Sequence, residues 1–383
     1  MRTIYIYQAF IWLLSLGNFT YAQTDSTALT LTFKGQASGF VLFNPGNNLN
    51  FYTGGRYIPQ INLSKGLPNT QLLDLEASAN IFGTMGFQPF DSANTNGDIR
   101  PYRGWVRYSN PQLEIRVGLQ KINFGSASIL RPLMWFDQID PRDPLQLTDG
   151  VYGVLGRYYF LNNANIWLWG LYGNKNRRGF DIAPSATKIP EFGGRFQFPT
   201  KNGEAAVTYH HRNAKVSELG QFTFNNTPEH RFGIDGKWDL KVGLWVEATW
   251  VHTTQNIGLL TNQHLINLGT DYTFSIGSGL TVIAEQLVYT FDEKPFQFKN
   301  TATLTAFTAS YPLGLFDQVN AILYYDWTNE NVYNLLRWQH SFAKLTFNVL
   351  AFWNPTDSQL PQQQFSENLF GGKGIQILLV FNH

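Results

Sequence analysis

The sequence predicts an all-β chain, a transmembrane antiparallel β-barrel of about eighteen strands, with sixteen as the alternative count. Three observations carry this. Apolar and polar residues alternate over stretches of roughly ten to fourteen residues, beyond the soluble mode of about five or six. Aromatic residues, 16% of the chain, gather toward the ends of the apolar rows at Tyr102, Tyr108, Trp238, Trp250, Trp327, Trp338 and Trp353. The connections alternate between short turns and longer polar loops, the asymmetry of a barrel with two unlike rims.

The first element is not a strand. Arg2, an apolar run over 4–16 and Thr20-Tyr21-Ala22 read as a secretory leader, residues 1–22, cut after Ala22. Residues 23–383 then form a single domain, with no linker or low-complexity tract. The leader removes one cation, so Lys+Arg falls from 28 to 27 against 27 Asp+Glu. A formally neutral chain argues against nucleic acid as a partner. With no Cys, no disulfide framework or thiol chemistry is available.

The strands follow in order. Leu29, Leu31, Phe33, Gly35, Ala37, Gly39, Val41 and Phe43 fall on one face, against Thr30, Thr32, Lys34, Gln36 and Ser38. Leu73, Leu75, Ala77, Ala79 and Ile81 oppose Asp74, Glu76, Ser78 and Asn80. Leu113, Ile115, Val117 and Leu119 oppose Glu114, Arg116 and Gln120. The pattern returns from Leu240 to Trp250 and from Val319 to Trp327. It ends in Ile375, Ile377, Leu379 and Phe381. Short turns fall at 110–111, 162–163, 201–203, 239, 277–278, 312–315 and 341–344. Longer loops fall at 44–50, 89–98, 123–150, 173–188, 213–227, 254–261, 292–300 and 354–373. Both termini then lie at the short-turn, periplasmic rim of a bacterial outer-membrane protein.

The final strand resembles the C-terminal recognition strand of bacterial outer-membrane proteins, which implies the barrel-assembly machinery as a partner. It departs from that pattern in placing Asn382 and His383 after Phe381.

Inside the barrel the charges nearly balance. Two readings coexist: an ion-pair network that stiffens the wall, and a charged lining that biases what passes. Arg100, Arg103, Arg107 and Arg116 lie on two strands joined at Asn110-Pro111, and Arg103, Arg107 and Arg116 share the lumen face. The loop 123–150, the third on the long-loop side, is too long for a plain connection. Its Leu130, Leu133, Met134, Trp135 and Phe136 need burial, which an outward loop cannot give. Folded into the lumen, these five anchor it to the inner wall. Arg131, Asp137, Asp140, Asp143 and Asp149 then join the three wall arginines around a narrowed passage, and Pro132, Pro141 and Pro144 limit the loop's freedom.

The strand feeding this loop reads IRVGLQKINFG from Ile115 to Gly125. With the Asp-Pro pairs of the loop, it resembles the strand-to-loop junction of phosphate-selective-type and alginate-export-type porins. The resemblance implies a porin whose constriction is built by residues 124–150.

Rival chemistries are weaker. Asp140-x-x-Asp143 with Asp149 lacks the spacing of a calcium loop. His340-Ser341 and Tyr209-His210-His211 are the nearest hydrolase candidates, yet nothing makes a nucleophile, base and orienter converge. No catalytic residue, metal or cofactor is therefore expected. The expected function is passive diffusion of small hydrophilic solutes through the outer membrane, its lipid being the other partner; oligomeric state stays open. The alternative is a non-conducting barrel with a structural role, or one that recognises surface glycans through the loops 173–188, 213–227 and 354–373.

Overall fold

Period-two stretches pair with their neighbours in the chain wherever a polar connection lets the backbone turn back. The computed structural model describes residues 28–46, 49–220, 222, 224–356 and 369–383; the leader read at 1–22 lies outside them. Among the described residues the strands are β1 (Leu29–Phe43), β2 (Phe51–Leu67), β3 (Gln71–Phe87), β4 (Ala93–Ser109), β5 (Leu113–Gln120) and β6 (Val151–Tyr159). They continue as β7 (Asn165–Leu171), β8 (Glu191–Thr200), β9 (Gly203–Ala214), β10 (Thr227–Asp239), β11 (Gly243–Thr253) and β12 (Asn262–Phe274). The last six are β13 (Leu280–Asp292), β14 (Thr301–Pro312), β15 (Asp317–Asp326), β16 (Asn331–Ser341), β17 (Leu345–Trp353) and β18 (Lys373–Asn382).

All eighteen form one sheet in which each strand pairs with its sequence neighbours, and β1 closes on β18. The seam runs antiparallel from Gln36↔Asn382 to Phe43↔Ile375, so no edge is left open. His383 lengthens it: Gly35 and His383 exchange backbone hydrogen bonds of 2.9 and 3.0 Å, and the Tyr57 hydroxyl lies 3.0 Å from His383 Nε2. The residues that follow Phe381 thus lengthen the closure.

Lipid exposure follows from the alternation. Leu31 (61% exposed), Val117 (50%) and Ile234 (55%) point out, while Leu42, Leu155 and Leu350 on the other face are fully buried. At one rim the strands reverse in two to five residues. There Asn69, Thr70 and Asn202 adopt φ near +60°, the backbone a tight hairpin requires. Asn110 Oδ1 accepts the amides of Gln112 and Leu113, fixing its turn through its own side chain. The opposite rim carries the long connections, and residues 121–150 are its third loop.

Two local expectations needed correction. The loop placed at 89–98 shrinks to 88–92, because Ala93–Asp98 continues β4 in register with β3. Those polar residues rise on a tall wall, where β2, β3 and β4 are 17 residues each. Tyr102, expected on the lipid face, lines the lumen with Lys34, Gln36 and Gln60. A bulge is the cause: Ser78 pairs with Arg103 and Ala79 with Pro101, leaving Tyr102 unopposed. The extra residue flips the parity beyond it.

Candidate functional site

The third loop crosses the lumen on hydrogen bonds from the far wall. After β5 the chain turns inward at Gly125, whose φ is +105°. A Cβ there would lie 2.6 Å from a Glu247 carboxylate oxygen, so both the backbone angle and the close approach demand glycine. Glu247, on β11, accepts the amides of Ala127 and Leu133. Glu285, on β13, accepts those of Ser128, Ile129 and Leu130, together with Trp245 Nε1 and Asn267 Nδ2. Ser126 Oγ donates to Asp235 on β10 at 2.9 Å. Two buried carboxylates thus take up backbone donors that the loop cannot pair within itself.

The apolar half of the loop fills the space beside them. Leu130, Leu133, Met134, Trp135 and Phe136 are each no more than 4% exposed. Leu133, Trp135 and Phe136 pack with Phe124, Val151, Leu155 and Trp169. Ile129 and Leu130 pack against Leu265, Leu287, Leu304, Tyr324 and Tyr333 of β12 to β16. Burial of such a side chain is worth about 1.5–3 kcal/mol. Farther on, Leu145 reaches the cluster of Leu335, Leu350, Leu378 and Val380. The loop therefore touches opposite sides of the barrel.

The charged residues are brought together differently from the expectation. Arg107 binds Asp74 at 2.5 Å, and Glu114 is shared by Arg107 (3.6 Å), Arg116 (3.1 Å) and Arg157 (3.5 Å). Arg116 and Arg107 lie over the inward Trp105 ring at 4.6 and 5.6 Å. These arginines are tied into their own wall and meet no loop aspartate. Arg131 and Asp137 form a buried pair inside the loop at 3.2 Å, and Arg131 also bonds Asn123. Burial pushes the Asp137 carboxyl up from its ordinary value, with Arg131 opposing. Asp140 pairs with Arg142 at 2.7 Å. Asp143 accepts the amides of Leu145 and Leu147; burial raises its carboxyl despite them.

Of the arginines on β4 and β5, Arg100 and Arg103 meet the end of the loop. Asp149 lies 3.4 Å from Arg100, and Arg103 donates to the Thr148 carbonyl at 2.9 Å while stacking 4.0 Å over Tyr102. Simple alternation puts Arg100 on the other face from Arg103. The bulge brings both into the lumen, where Arg100 and Arg56 flank the Phe82 ring at 4.8 and 5.4 Å. Between the loop's Leu145 and Leu147 and the wall lies a cavity of about 360 Å³, lined by Lys34, Gln36, Gln60, Tyr102 and Asn382 among others.

A second inward loop was missed. Residues 172–190, read as a polar surface loop, bury Arg178, Gly179, Asp181, Ala183 and Ser185. Asp181 binds Arg212 of β9 at 2.9 Å and Arg231 of β10 at 2.6 Å, and both arginines also bind Glu229. Burial pulls the Arg178 guanidinium down from its ordinary value against the pull of Glu191 and Asp181. Gly179 (φ +49°) sits where a Cβ would lie 2.1 Å from the Met134 carbonyl. Gln138 Nε2 donates to the Arg177 carbonyl at 2.8 Å. The fourth loop thus rests on the third.

The rival sites do not assemble among the described residues. His340 Nδ1 lies 2.8 Å from Asp317, on the row of the exposed Leu336 and Trp338. Ser341 points to the other face, where its hydroxyl accepts from Gln339. His210 is buried inside, 3.3 Å from Glu191 and bonded by Trp169 Nε1, whereas His211 points out.

No family model and no curated protein sequence matches the chain. Solved structures do. Acinetobacter baumannii OccAB1 shares 8% identity at a TM-score of 0.56, over 96% of this chain and 99% of that one. Pseudomonas aeruginosa OccK7 (OpdD) shares 9% at 0.55, over 93% and 98%. Pseudomonas aeruginosa OccK5 (OpdH) shares 12% at 0.53, over 92% and 97%. These likenesses are of fold and carry nothing particular to phosphate-selective or alginate-export channels. The chain has the closed, eighteen-stranded fold of an outer-membrane porin-like barrel.

Proposed function

We propose that the chain is a channel of the bacterial outer membrane through which small hydrophilic solutes diffuse passively, narrowed by residues 121–150. The observation that carries this is the third loop itself: it crosses the lumen, anchors its apolar half on the wall and leaves a polar-lined space beside β1, β2 and β4. Eighteen strands enclose a lumen wide enough for water, and a loop laid across it sets the narrowest point. Arg100, Arg103 and Asp149 border that point, and Arg107 and Arg116 stiffen the wall below it. The leader at 1–22 fits export, and the outward row of β18 fits delivery to the assembly machinery. This reading requires no cofactor.

Single-channel recording in planar bilayers tests it. The wild-type protein is expected to give discrete conductance steps, and deletion of residues 129–145 to enlarge them. A folded protein without steps would favour the non-conducting recognition barrel, and unchanged steps after deletion would remove the loop from the passage.

A further inference from the structure

Near the long-loop rim, three histidines stand in register on the lipid-facing side of adjacent strands. His211 of β9 opposes His230 of β10, and His230 opposes His252 of β11. The next row toward the membrane centre is Tyr209, Phe232 and Trp250, and beyond it Val207 and Ile234 are half exposed to lipid. An aromatic row marks the edge of the apolar band, so the histidines lie at the level of the lipid headgroups.

His211 and His230 are the close pair. Their ring centroids are 4.8 Å apart and the rings are tilted by 44°. A ligating nitrogen sits about 2.0–2.1 Å from its ion, which places two imidazoles sharing one ion with centroids about 4.5 Å apart at a right angle and about 5.2 Å apart at the tetrahedral angle, a range that contains the observed pair. The Tyr209 hydroxyl, 2.8 Å from His230 Nδ1, holds that ring and leaves Nε2 for a ligand, as outer partners of metal-bound histidines do. The His252 ring packs on Trp250 at 5.8 Å rather than on either of the other two histidines. No group of three or more His, Cys, Asp or Glu side chains able to hold a metal occurs among the described residues, so the protein supplies two ligands here.

We propose that His211 and His230 bind a divalent transition-metal ion on the outside of the barrel. Imidazole suits zinc, copper and nickel. The remaining coordination positions face the headgroup layer and are filled by water or lipid oxygen. This site is independent of the channel reading, since neither residue touches the lumen.

Zinc titration by calorimetry on the untagged, chelator-treated protein in detergent tests the proposal. Heat-modifiable gel mobility reports that each sample is folded. Wild type is expected to bind a single ion, His211→Gln and His230→Gln each to weaken binding at least about tenfold, and His252→Ala to leave it unchanged. Wild-type affinity in either Gln variant, or an equal loss in His252→Ala, would overturn it.

Discussion

Glu285 shows how one side chain can set the position of a whole loop. Its carboxylate accepts Ser128 N at 2.6 Å and Leu130 N at 2.5 Å, with Ile129 N at 3.1 Å. Glu285→Ala takes the acceptor from the buried Leu130 amide, at a cost of about 1–3 kcal/mol, and removes the bonds to Ser128 and Ile129 as well. Glu285→Gln keeps one oxygen and is expected to fall between the two. Current noise in the open channel should rise in that order, and the heat-modifiable transition should fall by several degrees in Glu285→Ala. Equal noise in all three proteins would show that the loop is held by its apolar anchors alone. Sequence could not have pointed to this residue. It falls in a strand whose charge reads like any other lumen position, and its partners lie more than 150 residues away. Leu130, Leu133, Met134, Trp135 and Phe136 stand out in the sequence for the opposite reason: large apolar residues without period two have nowhere to go on an exposed loop.

The same contrast holds among the elements. The strands were readable because lipid outside and water inside impose alternation along every one of them. A bulge leaves no such trace. One added residue at Tyr102 changes which side chains face the lumen, yet composition and spacing stay ordinary. The fourth loop was hidden differently, since its polar residues look like a surface loop until the charges they meet are known. Asp181 bridges Arg212 and Arg231 from 31 and 50 residues away. Removing one partner from a buried ion cluster costs about 3–5 kcal/mol, so Asp181→Ala should free the fourth loop while the barrel stays closed. Trypsin added outside proteoliposomes is expected to spare the buried Arg178 in the wild-type protein. In the variant it should cut after Arg178, read by mass spectrometry of the fragments. Continued protection of Arg178 in a folded Asp181→Ala protein would mean that packing on Met134, not the ion pairs, seats the loop.

For the whole molecule, what matters is where unpaired charge remains. The chain is nearly neutral, with 28 cations and 27 acids, but the partners are unevenly distributed. On the side of Glu114, arginine and carboxylate neutralise each other within the wall. Lys34 at the open cavity, and Arg56 and Arg337 close to Asp143, have no carboxylate within ion-pair distance among the described residues, and Asp143 is capped by loop amides. The open passage is therefore basic although the chain is not, and anions should cross it in preference to cations. In a KCl gradient at about 0.1 M, where the Debye length is about 10 Å, the reversal potential is expected to take the anion-selective sign. Near 1 M, where the screening length shrinks to about 3 Å, the preference should weaken. Arg56→Gln with Arg337→Gln should move the low-salt potential at least halfway to zero. Arg107→Gln, which takes its charge from the neutralised wall, should move it far less. A cation-selective potential in the wild-type protein, or equal shifts from the two sets, would mean that ions follow another route past the loop.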